Sequence, residues 1–500
     1  MKDLSTVEKA AAGVKNERVL DFLGNSPRKL LIDGKWIPAK SGKTLETINP
    51  ANEEVLASIA AADREDVDEA VKSARKAFES GPWSTMGPHD RANYIFRIAD
   101  LIERHIEELS LLNALDMGCP VGTSTAFEQL TVKLWRYYGG WVTKICGDTN
   151  PSNPDIFNFT LREPVGVCAG IVPWNAPSYL AANKIAPALA CGNTIIVKPA
   201  SQASLSLLRL GELIHEAGVP EGVVNIITGA GSTAGKAMVE HPGIDKISFT
   251  GSTDVGKSII LGSANNIKRV SLELGGKSAN IIFADADLEQ AVPASMFGFC
   301  ANSGQICLAP TRILAQQEIY DKVVANLTAV TSTIKPGDPL DPNTIVGPIA
   351  NSDQFKTVKN YIEIGKKEGA TVMTGGSAVD GKGYFVNPTV FANVSNNMRI
   401  AQEEIFGPVV VVIPFKDETD AVSIANDSIY GLAGALWSRD LSRATRVARA
   451  LKAGEIWVNT VLAGDPISPM GGYKHSGYGR EQGKYALDLF TQVKSVFVKL

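Results

Sequence analysis

Apolar residues recur at two spacings along this chain, and the change from one to the other divides it. LLIDGKWI (30–37) and TLETINP (44–50) set apolar residues around an Asp-Gly turn signal, which predicts short strands or a hairpin. Spacings of three and four follow in DREDVDEAVKSARKAF (63–78) and HDRANYIFRIADLIERHIEELSLLNALDMG (89–118). With acids early and Gly118 after the last turn, both stretches are predicted helical. From Val165 short apolar runs alternate with helix-length segments: VGVCAGIV, TIIVKP, VVNIIT, KISFTG, RVSLEL and SANIIF. That is a parallel α/β signature. Ligands of such sheets bind beyond the carboxyl ends of strands, which brings Pro173, Lys198, Gly251 and Glu273 forward as candidates. A second α/β section is expected after Cys307, with helical YDKVVANLTAVTSTI, the strand VVVVIPF and the glycine-rich loop PMGGYKHSGYGREQG. The final KSVFVKL alternates as an edge strand does.

Size and composition bound this picture. A chain of 500 residues exceeds what one hydrophobic core supports, so two or more domains with a cleft between them are expected. A net charge of −4 without any basic block gives no sign of a nucleic-acid partner. The longest unbroken apolar run, Val409 to Ile413, suits a buried strand and is too short for a membrane span, and the first residues lack the apolar core of an export signal. A soluble, cytoplasmic protein is expected. Cys119, Cys146, Cys168, Cys191, Cys300 and Cys307 form no C-x-x-C pair and the five histidines are dispersed, so neither disulfides nor a metal site is expected.

The chemistry concentrates in PWNAP (173–177), KPAS (198–201), FTGSTDVG (249–256), LELGG (272–276), NSGQIC (302–307), EEIFGP (403–408) and GGYKHSGYGRE (471–481). In order and spacing these segments resemble the aldehyde dehydrogenase superfamily, from about Leu31 to the C-terminus. The resemblance implies an α/β fold with a Rossmann-like cofactor domain (1–146 and 164–273), an α/β catalytic domain (274–484) and a small β oligomerisation element (147–163 and 485–500). It also implies NAD(P)-dependent oxidation of an aldehyde to a carboxylic acid through a thiohemiacetal and a thioester.

Cys307 occupies the nucleophile position of that pattern. An ordinary cysteine, with a pKa of about 8.5, is a few per cent thiolate at neutral pH and already attacks carbonyls. A lone cysteine is more often a buried structural one, but Gly304 and Gln305 suit a tight exposed turn. Asn175 resembles the amide donor that, with the backbone N–H of Cys307, holds the oxyanion, although an Asn near two prolines equally suits a plain turn. Glu273 ends a predicted strand and by resemblance is the general base, acting on the hydrolytic water and on Cys307; its neighbours Leu272 and Leu274 argue against a fully exposed face. Lys184 matches a lysine near the proton path.

No G-x-G-x-x-G follows the first strand of the parallel section, and GAGSTAG (229–235) stands after a later strand with the wrong spacing. The family uses a G-x-T-x-x-G variant, supplied here by Gly251, Ser252, Thr253 and Gly256, whose amides at a helix start suit a pyrophosphate; a capped strand-to-helix turn is the plainer reading. Glu404 matches the residue on the nicotinamide ribose, Phe406 packs near the ring, Gln354 assists, and Val172, Pro173 and Trp174 line the adenosine side. Lys198 and Ser201 meet the adenosine ribose, where many NAD-preferring relatives have Glu in place of Ser201, so use of NADP, with or without NAD, is expected.

Three positions that crowd the substrate tunnel with aromatic rings in relatives hold Ala176, Asn183 and Gly464, while Ile306 and Leu308 beside the nucleophile stay apolar. A wider, less apolar tunnel predicts a bulky aryl or arylalkyl aldehyde, and LWRYYGGW with the NTVLAGDPISPMGG loop is similar to bacterial aromatic-aldehyde and phenylacetaldehyde-type members. A CoA-acylating or semialdehyde dehydrogenase and a catalytically silent scaffold are the alternatives; Glu273 and the retained site residues speak against the first and last. Relatives are dimers or tetramers, a role that DIFNFTLREP and the C-terminal strand fit.

Overall fold

The apolar runs after Val165 become the middle of an eight-stranded sheet, whose order in space is Gly477–Tyr478, Arg269–Glu273, Lys246–Thr250, Val167–Val172, Thr194–Pro199, Val224–Ile226, Leu30–Ile32 and Lys35–Ile37. The strands from Arg269–Glu273 to Val224–Ile226 are parallel. Every residue of Thr194–Pro199 and Lys246–Thr250 is buried, as continuous apolar strands covered on both faces should be. Chain order reverses between Val167–Val172 and Lys246–Thr250, which opens a crevice beyond their carboxyl ends. The computed structural model describes residues 4–500; residues 1–3, on which the readings of a leader and of the first domain partly fall, lie outside the described residues.

The hairpin around Asp33 and Gly34 is present, with both turn residues left-handed (φ 53° and 69°) as a tight antiparallel turn requires. Residues 89–118 depart from the single helix expected. They form Pro88–Arg104 and Ile106–Met117, broken at His105, where φ is −117°. His105 Nδ1 lies 2.7 Å from Glu108 Oε1, and Glu108 also accepts from Arg18 and Arg209, so a polar network fixes the break. Gly118 ends the second helix with φ 74°.

The second sheet starts at Ala279–Ile282, ahead of Cys307, so SANIIF belongs to it and not to the first. Its spatial order is Thr371–Thr374, Thr389–Ala392, Val409–Phe415, Arg312–Gln316, Ala279–Ile282, Ala433–Trp437 and Glu455–Val458, parallel apart from the first pair. Two details cut across the expected boundaries. Gly477–Tyr478, within 274–484, returns to pair with Arg269–Glu273 of the first sheet. Tyr485–Leu489, expected within the β element, is a helix. Beyond it Thr491–Lys499 pairs antiparallel with Ile156–Pro164 along the whole strand. Among the described residues no helix is long and apolar enough to cross a membrane and no His/Cys/Asp/Glu group could hold a metal; all six cysteines are free.

Candidate active site

Residues 274–278 carry the chain from the end of Arg269–Glu273 in the first sheet to the start of Ala279–Ile282 in the second, and the site is built on that seam. Its two glycines let other segments close in. A Cβ on Gly275 would stand 2.2 Å from Glu404 Oε2, and one on Gly276 would stand 2.4 Å from the carbonyl oxygen of Cys307. The Gly276 N–H donates to Glu404 Oε1 at 3.0 Å. Gly276→Ala is therefore expected to destabilise the fold by about 1–3 kcal/mol through overpacking and to displace Cys307. Thermal melting and aldehyde-dependent activity should fall together; wild-type values for both would refute the tight packing.

Cys307 follows three consecutive left-handed residues, Asn302 (φ 50°), Ser303 (φ 57°) and Gly304 (φ 73°). Such a run is strained for non-glycine residues and persists only where the surroundings enforce it. Here buried hydrogen bonds do so: Asn302 Nδ2 donates to the Asn175 carbonyl at 2.9 Å, Asn175 Nδ2 donates to the Gln305 carbonyl at 2.9 Å, and the Ala350 N–H donates to Gln305 Oε1 at 2.9 Å. The turn is tight, as expected, but it is buried, and only from Ile306 to Leu308 does the chain become half-buried. Asn175 thus has one amide proton committed to Gln305 and a second left over. Burial pushes the Cys307 thiol pKa up, Glu404 and Glu273 push it the same way, and the backbone N–H groups of Leu308 and Cys307 oppose them.

Glu273 is 3% exposed, and its Oε2 has no protein partner. Burial first, then the charge of Glu481, raises its pKa well above the carboxylate range, against Lys184 and Arg480. Lys184, fully buried, donates to Glu481 Oε1 at 2.6 Å and to Thr250 Oγ1 at 2.7 Å. Ser248 Oγ adds a 3.1 Å bond to the same Glu481 oxygen. Sequence reasoning passed over Glu481 as a site residue. Its signal was an acid at the end of the glycine-rich GGYKHSGYGRE segment, a place where a solvated charge is the ordinary finding.

Toward the crevice of the first sheet, Val172 is buried and Pro173 and Trp174 are half-buried. The Trp174 ring meets Phe406 edge-on, centroids 5.2 Å apart. Gln354 donates its amide protons to the carbonyls of Ile405 (2.9 Å) and Phe406 (3.0 Å), so it holds the backbone of that loop. Gly251 leads into the helix Thr253–Ser263, which Ser252 caps. Gly256 permits the close approach of Leu274, whose Cδ2 would lie 2.7 Å from a Cβ there. Lys198 is 3% exposed and donates to the Pro199 carbonyl at 2.9 Å, and burial lowers its pKa to about 8. Ser201, half-buried, donates to Gln202 Oε1 at 3.3 Å. Burial raises the Glu404 pKa to about 7, opposed by the Gly276 N–H and Lys277.

The five tunnel residues divide. Ile306 and Leu308 flank Cys307, and Ala176 and Asn183 are buried along the helix Pro177–Ala190 and its start. Gly464 is exposed, with no heavy atom beyond its chain neighbours within 4 Å of a Cβ placed there, on a loop whose Val461 and Leu462 pack in one apolar cluster with Leu308.

A cysteine beside one buried and one half-buried carboxylate, Glu273 and Glu404, next to a crevice where strand order reverses, defines a two-sheet α/β enzyme of carbonyl chemistry. Residues 36–496 match the Aldehyde dehydrogenase family. Aldehyde dehydrogenase family 2 member C4 of Arabidopsis thaliana is 48% identical over 475 residues, 94% of this chain and 95% of that protein. The NAD+ complex structure of aldehyde dehydrogenase from Bacillus cereus has a TM-score of 0.96 at 48% identity, covering 97% of this chain and 99% of that one. Betaine aldehyde dehydrogenase from Staphylococcus aureus in complex with NAD+ has a TM-score of 0.95 at 40% identity, with 97% of both chains covered. The chain belongs to the aldehyde dehydrogenase family, and it is an oxidoreductase acting on aldehydes.

Proposed function

We propose that this enzyme oxidises a bulky aryl or arylalkyl aldehyde to its carboxylic acid with NADP or NAD. The observation that carries the reading is the convergence of Cys307 and Glu404 on the Gly275–Gly276 seam, directly beyond Glu273. Cys307 Sγ adds to the aldehyde carbon, forming a thiohemiacetal, and the second Asn175 amide proton with the Cys307 N–H holds the oxyanion. Such a donor is worth about 3–4 kcal/mol. Glu273 takes the thiol proton at the start and later a proton from the water that cleaves the thioester. Glu481, whose charge acts on Glu273, takes that proton onward, and Lys184, hydrogen-bonded to Glu481, lies on the same path. A hydrolytic route fits a buried base better than transfer to CoA does, and product analysis with and without CoA separates the two.

The residues fit a nicotinamide dinucleotide, which when bound supplies the hydride acceptor. The N-terminal amides of Thr253–Ser263 would receive the pyrophosphate, with Gly251 and Gly256 keeping the turn close. Glu404 would hold the nicotinamide ribose and Phe406 with Trp174 would wall the ring side, while Gln354 positions the Phe406 loop. Val172, Pro173, Lys198 and Ser201 would border the adenosine, in keeping with cofactor binding by 1–146 and 164–273 and a nucleophile carried by 274–484. A cation at 198 without an acid at 201 leaves room for a 2′-phosphate. Ser201→Glu is expected to lower kcat/KM for NADP about tenfold or more while NAD changes little. A wild-type preference for NAD of three orders of magnitude or more overturns this part.

Rates of NAD(P)H formation over acetaldehyde, benzaldehyde and phenylacetaldehyde, with each cofactor, test the whole proposal. A higher kcat/KM for acetaldehyde than for either aryl substrate sinks the bulky-aldehyde assignment. The strands Ile156–Pro164 and Thr491–Lys499, with Phe157 and Phe497 exposed, form the element that joins subunits of a cytoplasmic dimer or tetramer.

A further inference from the structure

The helix Pro177–Ala190 starts beside Asn175, and its three- and four-residue spacing places Ala176, Tyr179 and Asn183 on one side. That side carries polar groups that no step above uses. Asn183 is 1% exposed; its Nδ2 donates to the Tyr179 carbonyl at 2.9 Å, while its buried Oδ1 has no protein partner. Exchanging the amide's N and O would set an oxygen against that carbonyl, so the unpaired acceptor is a feature of the site and not of the assignment. Tyr179 is half-buried, its ring stacked on Phe127 at 5.9 Å, and its phenol oxygen accepts from Gln482 Nε2 at 2.7 Å. That oxygen also lies within reach of the Asn183 amide, so the two polar groups stand side by side, and with the oxygen accepting, the phenol proton is left to donate. Gln482 is held in place by a left-handed backbone (φ 59°) immediately after Glu481.

The geometry points to a hydroxyl-recognition subsite in which Asn183 Oδ1 and the Tyr179 O–H receive a hydroxyl on the ring of the aldehyde. A hydroxyl both donates and accepts, matching one free acceptor and one free donor, whereas an unsubstituted ring leaves both unpaired. Both residues belong to the first two turns of the helix that starts two residues past Asn175, with Asn183 about 6 Å along the axis from Tyr179. The substrate class is thus a hydroxylated aryl or arylalkyl aldehyde, an assignment that rests on the aromatic-aldehyde reading above.

The test is kcat/KM for 4-hydroxybenzaldehyde and 4-hydroxyphenylacetaldehyde against benzaldehyde and phenylacetaldehyde, in the wild type and in Asn183→Leu and Tyr179→Phe. The wild type is expected to favour the hydroxylated partner of each pair by about tenfold or more, since a site built to bond a hydroxyl rejects the analogue that lacks it. In both variants that ratio falls toward one, chiefly through KM. Tyr179→Phe keeps the stacked ring and serves alone should Asn183→Leu fail to fold. A wild-type ratio near one, with aryl aldehydes still preferred to acetaldehyde, overturns the subsite and leaves the aromatic reading standing. Preference for acetaldehyde overturns both.

Discussion

Cys307→Ala is expected to lower aldehyde-dependent NAD(P)H formation by about four to six orders of magnitude, the scale on which enzymes lose activity with their nucleophile. The fold should survive. The packing of residue 307 against the seam is through its carbonyl oxygen on Gly276, and the residue as a whole is half-buried, so loss of one sulfur atom leaves little cavity. Cys307→Ser is expected to fare hardly better. The burial and the two carboxylates that already oppose a thiolate oppose an alkoxide more strongly. Acid-quenched wild-type enzyme should carry the acyl mass on the peptide containing Cys307, and the alanine variant should carry none. Turnover of Cys307→Ala within tenfold of wild type, or an adduct on another residue, would remove the thioester from the mechanism.

What the chain discloses before folding depends on how local the cause is. The parallel strands of the first sheet were legible because each is a short apolar run buried on both faces, and Glu273 at the last position of one strand, with Pro173 and Gly251 just past two others, lies at the carboxyl ends that the topological rule brings forward. That rule is silent about Cys307 and Glu404. Both precede strands of the second sheet, Arg312–Gln316 and Val409–Phe415, so they enter from amino ends, and only their motifs gave them away. The break at His105 was hidden because the apolar spacing runs on through it, while its cause, Glu108 gathering Arg18 and Arg209, spans about a hundred positions. Glu481 was missed for the same reason: nothing near it in the chain says that it will be buried against Lys184, 297 positions away. The strained turn before Cys307 is a similar case, since its enforcers are Asn175 and Ala350.

Glu273→Gln should separate the two halves of the reaction. Glutamine keeps the shape of the side chain but accepts no proton, so Cys307 attacks only through the small thiolate fraction present without a base, and hydrolysis of the thioester, which has no such fallback, slows more. An initial burst approaching one equivalent of NAD(P)H is expected, then a steady state about two to four orders of magnitude below wild type. In the wild type, burial and Glu481 hold the Glu273 pKa well above its ordinary 4.5, so the base form grows as pH rises and kcat should climb from acid through neutral pH. The glutamine variant should lose that limb. Stability moves the other way. Native enzyme keeps a proton that the unfolded chain releases above 4.5, so this carboxyl weakens the fold as pH rises from there toward its native pKa, and Glu273→Gln should gain melting temperature over wild type across that window. Glu481→Gln supplies the opposite perturbation. It removes the like charge and leaves Lys184 without its anionic partner, and both changes favour ionised Glu273, so the kcat limb should shift to lower pH. A shift to higher pH would mean that Glu481 acts on some other group, and the absence of a burst in Glu273→Gln would mean that activation of Cys307, and not hydrolysis of the thioester, is the step that most needs Glu273.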